Sequence, residues 1–368
     1  MEFIVSKKEL FSSLSHFQSV VEKRNTIPIL SNVKIKTTTN KIEITATDLA
    51  LEISEVINAE IKGEGELTVP SQLLFDIIRK APETSKIEIK NEEELGQIFI
   101  FFGESKFSLP YLSTLDFPEM ESEVLENVIN IEANELSYLI DDTKFSMGID
   151  ESRQFLNGIY MHQTEENIIA VATDGHRLSR CLIKNNKNIK GFDGIIIPKK
   201  TVHEISKILE GAESIVELSF SKTKIKLKVD NIKITSKLLN ANFPDYESVI
   251  PKENNLVMNV DCSSFFETID RVSTVSSEKF RTVKLDISND LCVVSSFGQE
   301  KSAGTEQIKV KYSGPNININ FNAKYILDVL NIFKTGNISL TFSENTAPTI
   351  LKSQKKLNSI YLIMQMRS

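Results

Sequence analysis

Asp174, His176, Arg177 and Arg180 crowd into one stretch of ten residues, VATDGHRLSR at 171–180. In an enzyme, the aspartate and the histidine could act as an acid/base pair. Catalysis also needs a nucleophile or metal and a positioned substrate. The sequence has neither a G-x-S-x-G motif nor a P-loop, and HEISK at His203 lacks the second histidine of a zinc helix. The stretch therefore offers an acid/base pair without catalytic partners, and a lone histidine in a turn is more often structural.

The cysteines, Cys181, Cys262 and Cys292, are odd in number, far apart and without any C-x-x-C spacing. This usage argues against a disulfide framework and against a zinc site. No metal or cofactor is expected. The first residues, MEFIVSKKEL, lack the basic start and long apolar run of a signal peptide, and no stretch approaches the length of a membrane span. We therefore expect a cytoplasmic protein.

The net charge of −7 counts against a simple nucleic-acid binder, which is usually basic. It leaves room for a local basic face. The length of 368 residues predicts two or three domains.

Part of the opening stretch occurs twice. ITATDLALE at 44–52 and AVATDGHRL at 170–178 share Ala-Thr-Asp, and Thr47 and Thr173 lie 126 residues apart. DFPEM at 116–120 and NFPDY at 242–246 have the same offset. Two independent matches at one spacing indicate a duplicated unit of about domain size. The shared Thr-Asp is interpreted as architecture, and Gly175, His176 and Arg177 as a functional addition of the second copy.

Helical patterns also recur. Apolar residues recur at helical spacing in three segments of one class: VPSQLLFDIIRKAPE, IPKKTVHEISKILEG and FNAKYILDVLNIFKTG. A second helix class comprises KKELFSSLSHFQSVVEK, ANELSYLIDDTKFSM and DCSSFFETIDRVSTVS, with Ser6 and Asp261 among the candidate N-caps. Alternating runs between the helices predict strands joined by Asn- and Asp-containing turns.

These patterns predict an α+β fold of three repeated domains, each with two helices packed on antiparallel sheets of about eight strands. The expected domains are 1–126, 127–256 and 257–368.

TDGHRL, NFPDY, SSEKFR, YILDVLN and the terminal YLIMQMR occur in the order and at the separations of one known family. Over its whole length the chain resembles the bacterial DNA polymerase III beta subunit, the sliding clamp family. The resemblance implies a head-to-tail homodimer closed into a ring with pseudo-sixfold symmetry. Such a ring encircles double-stranded DNA without reading its sequence and performs no catalysis. It serves as a processivity factor.

The resemblance also implies a peptide-binding pocket between the second and third domains. Its partners would be the replicative polymerase, the clamp loader, translesion polymerases, mismatch repair proteins and ligase. Matched position by position, the expected pocket residues are Leu156, Thr173, Gly175, His176, Arg177, Leu178, Pro244, Val249, Tyr325, Pro348, Ile363, Met364, Met366 and Arg367.

Two further residue sets are carried over in the same way. The expected DNA-facing residues are Arg24, Arg79, Gln154, Phe155 and Lys200. At the expected dimer junction, Phe107 and Leu109 of one subunit meet Thr274 and Val275 of the other.

Around the pocket, three positions depart from the family pattern: Gln365 stands where proline is usual, Ser248 where arginine is common, and Ser368 ends a chain that often ends in an apolar residue. The rim of the pocket is therefore less closely matched than its floor.

Two alternatives stay open at this point. A non-ring adaptor could use the same pocket but should lack basic helices and a junction edge. An enzyme built on three repeats would need a polar cluster in one repeat, and only GHR at 175–177 qualifies.

Overall fold

A computed structural model describes residues 1–21, 27–120, 123–125, 127–185, 192, 194–276, 281–343 and 347–366. Within these residues, each predicted helical segment forms a helix. The helices are α1 (Lys7–Phe17), α2 (Ser71–Lys80), α3 (Ala133–Asp141), α4 (Lys199–Ile208), α5 (Cys262–Ser273) and α6 (Ala323–Phe333). Short 3-10 helices span Pro28–Ser31, Lys144–Ser146, Glu151–Leu156, Glu247–Val249 and Gln299–Lys301.

Two of the proposed N-caps are confirmed. Ser6 Oγ accepts a hydrogen bond from the backbone N–H of Glu9 (3.2 Å) and donates one to the Glu9 carboxylate (2.6 Å). Asp261 accepts the N–H of Ser264 (2.9 Å) at the start of α5. These contacts satisfy backbone donors that the first helical turn leaves without a partner.

The chain divides into two compact units, Met1–Leu136 with His203–Leu238, and Ser137–Val202 with Leu239–Ser368. This division differs from the expected domain boundaries. Hydrogen-bonded sheets explain the difference, because each large sheet contains strands from two of the expected domains.

The first unit has two antiparallel sheets. Its strands are β1 (Glu2–Ser6), β2 (Asn32–Thr38), β3 (Lys41–Thr47), β4 (Leu51–Asn58), β5 (Glu60–Gly63), β6 (Glu66–Pro70), β7 (Lys86–Glu92), β8 (Gln97–Phe102), β9 (Ser105–Pro110), β10 (Asn127–Glu132) and, following later in the chain, β15 (Ile215–Phe220), β16 (Lys224–Val229) and β17 (Ile232–Lys237). The strand orders are β5-β1-β7-β8-β9 and β10-β15-β16-β17-β4-β3-β2-β6. Leu10, Leu14 and Phe17 of α1 are fully buried in this unit.

The second unit also has two antiparallel sheets. Its strands are β11 (Gly158–Gln163), β12 (Asn167–Thr173), β13 (Arg177–Lys184), β14 (Ile195–Pro198), β18 (Leu256–Asp261), β19 (Thr282–Ser288), β20 (Leu291–Phe297), β21 (Ala303–Lys309), β22 (Ile317–Asn322), β23 (Asn337–Phe342), β24 (Thr349–Ser353) and β25 (Ser359–Ile363). The orders are β14-β11-β12-β13-β25-β24-β23-β18 and β21-β20-β19-β22. The predicted α+β class with antiparallel sheets is confirmed.

The turns predicted between strands have positive φ angles at their Asn and Asp residues. Asn40, Asp230 and Asp290 have φ values of 60°, 47° and 55°. Asparagine and aspartate tolerate this left-handed region better than other side chains that carry a Cβ. The turn residues therefore help to set the register of the hairpins that they close.

Candidate functional site

The turn between β12 and β13 is held by two side chains that it contains. Thr173 Oγ1 accepts the N–H of Gly175 (3.1 Å) and donates to the carbonyl of Arg177 (2.6 Å). Asp174 Oδ1 accepts the N–H groups of His176 (2.9 Å) and Arg177 (3.0 Å). Gly175 has φ +89°, a conformation that side chains with a Cβ rarely adopt. The Thr-Asp-Gly sequence thus specifies the turn locally.

Arg177 is locked in place rather than presented to solvent. Its side chain is 9% exposed, and Nε lies 3.1 Å from Asp174 Oδ2. The other guanidinium nitrogens bond to Asp328 of α6 and to the carbonyl of Phe145. The guanidinium carbon also lies 4.5 Å from the centroid of the Tyr325 ring, a cation–π contact. Arg177 therefore fastens the turn to α6.

No catalytic arrangement surrounds His176 in the described part of the chain. The histidine is exposed, and its ring stacks on Tyr325 with centroids 6.5 Å apart. No described group of three His, Cys, Asp or Glu side chains could hold a metal ion. Burial raises the pKa of the Cys181 and Cys292 thiols to about 12 and that of Cys262 to about 11, so none forms a reactive thiolate near neutral pH. The turn at 173–177 is therefore a candidate binding surface.

A mainly apolar cavity of about 240 Å³ opens beside this turn, with every lining residue in the second unit. Ten expected residues line it: Leu156, Thr173, Gly175, His176, Arg177, Leu178, Pro244, Val249, Pro348 and Met364. Asp245, Tyr246 and Leu362 line it as well. Val249 and Met364 are 49% and 41% exposed, whereas Leu156 and Leu178 are buried. The cavity therefore has a packed floor and an accessible apolar rim, suited to apolar side chains of a ligand.

Tyr246 connects the cavity to a second polar contact behind it. Its hydroxyl lies 2.9 Å from His162 Nε2 on β11, and burial raises the pKa of Tyr246 to about 12. Burial also lowers the pKa of His162, because desolvation disfavours the imidazolium. Tyr246 packs in one buried cluster with Val171, Leu178 and Leu362. A neutral His162 therefore supports the cavity floor.

Three expected pocket residues lie outside the cavity lining. Tyr325 stacks behind His176 and Arg177. Ile363 is fully buried and pairs with Arg177 across β13 and β25. The N–H of Met366 donates to the carbonyl of Asn320 (2.8 Å), and its sulfur accepts from Thr282 Oγ1 (3.8 Å). Arg367 falls outside the described residues.

Strand alternation explains the difference at β25. Residues two apart on a strand share a face, so Leu362 and Met364 line the cavity while Ile363 faces the other side. The sequence could have indicated Tyr246 as a cavity residue, because this apolar ring lies two residues after Pro244 in NFPDY. Asp328 carries no local sequence signal, because its contact with Arg177 spans 151 residues.

The departures from the family pattern have ordinary local partners. Gln365 Nε2 donates to the carbonyl of Ala347 (3.0 Å), next to Pro348 of the cavity rim. Ser248 Oγ donates to the carbonyl of Asp245 (2.8 Å). Ser368 falls outside the described residues.

The residues expected to face DNA occupy separate elements. Arg79 lies in the last turn of α2; its side chain is 55% exposed, and Nη2 lies 2.8 Å from Asp76 Oδ1. Lys200 lies in the first turn of α4, and Gln154 and Phe155 lie in the 3-10 helix Glu151–Leu156. Arg24 falls outside the described residues.

The expected junction residues lie at sheet edges. β9 is an edge strand of the five-stranded sheet, where Phe107 is 40% exposed and stacks on Phe102 with centroids 5.4 Å apart. Leu109 is 6% exposed and therefore packs within its own subunit. Thr274 and Val275 follow α5, next to the edge strand β21: the Val275 side chain lies 3.3 Å from the position that a Cβ on Gly304 of β21 would take.

A fold of repeated α+β domains with an accessible apolar cavity is typical of a protein that binds other molecules. Three family models match the chain: DNA polymerase III beta subunit N-terminal domain at 1–121, central domain at 130–245 and C-terminal domain at 247–367. The beta sliding clamps of Caulobacter vibrioides and Rickettsia felis are 35% and 33% identical to it, over the full length of both chains in each pair.

Solved structures agree with the sequence relatives. A DnaN sliding clamp from Bartonella birtlesii, bound to griselimycin, has a TM-score of 0.96 and 34% identity, with both chains covered completely. The DNA polymerase III subunit beta from Pseudomonas aeruginosa has a TM-score of 0.93 and 31% identity, again over both whole chains. The chain belongs to the DNA polymerase III beta subunit family, the bacterial beta sliding clamps. It is a non-catalytic processivity factor of DNA replication, and its family binds DNA and polymerase.

Among the described helices, none is both long enough and apolar enough to cross a membrane.

Proposed function

We propose that the chain forms a head-to-tail homodimer that closes as a ring around duplex DNA in the cytoplasm. A contact between two different surfaces makes a closed ring when the second subunit completes the circle. Two of the sheet-edge strands, β9 in the first unit and β21 in the second, support this proposal. An exposed edge invites pairing with another chain, and Phe107 and Phe297 are exposed beside these edges at 40% and 71%.

Ring closure resolves the conflict between acidic net charge and DNA binding. A ring retains DNA by topology and needs only weak, sequence-independent attraction to phosphates. Arg24, Arg79 and Lys200 are proposed to supply part of this attraction, with Gln154 and Phe155 beside the duplex. The side chain of Arg79 is more than half exposed, which leaves it accessible to a phosphate.

The cavity beside the 173–177 turn is proposed as the docking site for short peptides. Its partners are the replicative polymerase, the clamp loader, translesion polymerases, mismatch repair proteins and ligase. The observation that carries this proposal is the accessible apolar rim above a buried floor. The Met364 side chain can adapt to different ligand side chains. Holding a polymerase beside the primer end raises its local concentration and hence its processivity.

A charged substitution at the rim tests the docking site. Met364→Asp introduces a carboxylate where an apolar ligand side chain should pack, and the exposed position leaves the fold intact. We expect the affinity for a labelled peptide, copied from the docking segment of the replicative polymerase, to fall about 10-fold or more in fluorescence anisotropy. Leu357→Asp is the matched control, since Leu357 is 82% exposed and does not line the cavity. Equal peptide affinity in both variants would show that the peptide docks elsewhere.

A further inference from the structure

The outward faces of β16 and β17 form a surface rich in lysine. Lys224, Lys226 and Lys228 alternate along β16 with buried Ile225, Leu227 and Val229. Lys233 and Lys237 of β17 lie directly opposite Lys228 and Lys224. Like charges in opposite cross-strand positions destabilise a sheet. This surface, residues 224, 226, 228, 233 and 237, is called the lysine face. An anionic partner would reduce the repulsion among its positive charges.

An acidic segment of the same unit already lies along one side of the lysine face. The described parts of this connector, residues 116–120 and 123–125, carry Glu119 and Glu123. Glu119 lies 2.6 Å from Lys34 Nζ, and this contact lowers the pKa of the Glu119 carboxyl. Glu123 lies 3.7 Å from Lys224 Nζ. Acidic side chains therefore already pair with lysines on this sheet face.

A cavity of about 410 Å³ lies between the connector and the sheet. Its lining includes five lysines and four glutamates and no aromatic residue. Lys226 and Lys233 also line it and are both exposed, and no described carboxylate lies within 4.0 Å of either Nζ atom; this pair is called the basic centre. These two lysines are therefore the unneutralised part of the site.

The carboxylates on the sheet around this centre have other partners. Glu43 accepts a hydrogen bond from Ser54 Oγ (3.2 Å), and Glu52 accepts the N–H of Met120 (3.3 Å). Glu217 lies opposite Lys228, two residues beyond Lys226. The absence of an aromatic lining residue removes the stacking that single-stranded nucleic acids use.

We propose that the lysine face binds an acidic peptide segment of a partner protein. Its carboxylates pair with Lys226 and Lys233 as the connector glutamates pair with Lys34 and Lys224. The connector competes for part of the same surface, so it limits how much of a partner can bind. This site lies in the first unit and is separate from the apolar cavity of the second unit.

The test measures the anisotropy of a labelled dodecapeptide of alternating Glu and Ser, titrated with the full chain. K226Q/K233Q removes the two central charges, and we expect its Kd to rise about 5-fold and the salt dependence to flatten. K86Q/K90Q is the matched control, because it removes two exposed lysines of β7 and changes the net charge equally. If both variants bind the peptide alike, the site is not on the lysine face.

Two further arms separate the alternatives. E119Q/E123Q releases Lys34 and Lys224 from the connector, so peptide affinity should rise about 3-fold beyond what two removed negative charges give in E92Q/E93Q, two exposed glutamates. A 12-nucleotide single strand and inorganic phosphate serve as competitors. Displacement of the peptide by phosphate at lower concentration than by unlabelled peptide, or tighter binding of the oligonucleotide than of the peptide, would overturn the proposal.

Discussion

Two turns of the molecule share one scaffold and differ in what they carry. In the first unit, the N–H of Leu49 donates to Thr47 Oγ1 (3.1 Å), and Ala50 and Leu51 donate to Asp48 Oδ1 (2.9 and 2.7 Å). In the second unit, Thr173 and Asp174 accept the equivalent three bonds from the residues 126 positions later. The strands that enter the turns, β3 and β12, are equally long, and so are β4 and β13 that leave them.

The difference starts at the third turn residue. Leu49 adopts φ +74° where the second copy has Gly175 at φ +89°. Buried Leu51 corresponds to Arg177, which bonds to Asp174 and Asp328. Alanine at position 50 corresponds to the exposed His176. The same Thr-Asp frame therefore closes a plain hairpin in one copy and carries a docking wall in the other.

Removing the aspartate should break the two turns unequally. Asp174→Ala deletes two backbone bonds and one partner of a guanidinium that is 9% exposed, and we expect a loss of about 3 kcal/mol in unfolding free energy. Peptide binding should be lost at the same time. Asp48→Ala should cost about 1–2 kcal/mol and leave peptide affinity unchanged. Denaturant unfolding and peptide anisotropy measure both, and equal effects of the two variants on peptide affinity would contradict the comparison.

Asp328→Asn tests the anchor that only the second turn has. The substitution preserves shape and removes the charge that faces Arg177, so stability should fall by about 1–2 kcal/mol. Peptide affinity should drop several-fold, because Arg177 lines the cavity. Asp76→Asn serves as the control, since its partner Arg79 is 55% exposed. Unchanged affinity in Asp328→Asn would show that Arg177 holds its position without α6.

The third pair of variants tests the backbone preference at the third residue of each turn, Gly175 and Leu49. Gly175→Ala places a Cβ in the left-handed region, and it should destabilise by about 1 kcal/mol. Leu49→Gly removes a side chain from that region and should stabilise slightly, by about 0.5 kcal/mol. The Cβ added at position 175 meets only the flexible end of Arg153, at 2.8 Å. Shifts of the same sign in thermal melts would mean that side-chain contacts outweigh backbone strain.

The smallest effect should come from pH. Burial lowers the pKa of His162 below its value in the unfolded chain, so folding opposes protonation. The contribution of this group is constant above the unfolded value of about 6.5 and declines as pH falls from there toward the folded pKa. His162→Gln should flatten the decline in stability and in peptide affinity over that window. An identical pH profile in the variant would show that His162 does not support Tyr246 in the cavity floor.

Local patterns in the sequence account for much of this structure. The six helices, the N-caps at Ser6 and Asp261, the positive-φ turns and the duplicated Thr-Asp frame all depend on residues close together in the chain. Ten cavity residues were expected at their positions, although their role in docking stays a prediction, as do the domain boundaries at 126 and 256. Ile363 does not line the cavity, which only the phase of β25 could have indicated, and its role in docking also stays a prediction.

The contacts that could not be predicted join elements that lie far apart in the sequence. Leu362 meets Leu178 only because β13 pairs with β25 in one register, and Asp328 of α6 reaches Arg177 from 151 residues along the chain. Local propensity does not specify such pairings.

Retention on DNA tests the central claim most directly. The protein is loaded with a clamp loader onto nicked circular DNA, and half of the sample is then linearised before both are sedimented in the same buffer. A ring should stay on circles and leave linear DNA through its ends, and this difference should persist at a salt concentration that abolishes ordinary phosphate contacts. Equal retention on both forms, fading alike with salt, would contradict the account of a clamp that holds DNA by topology.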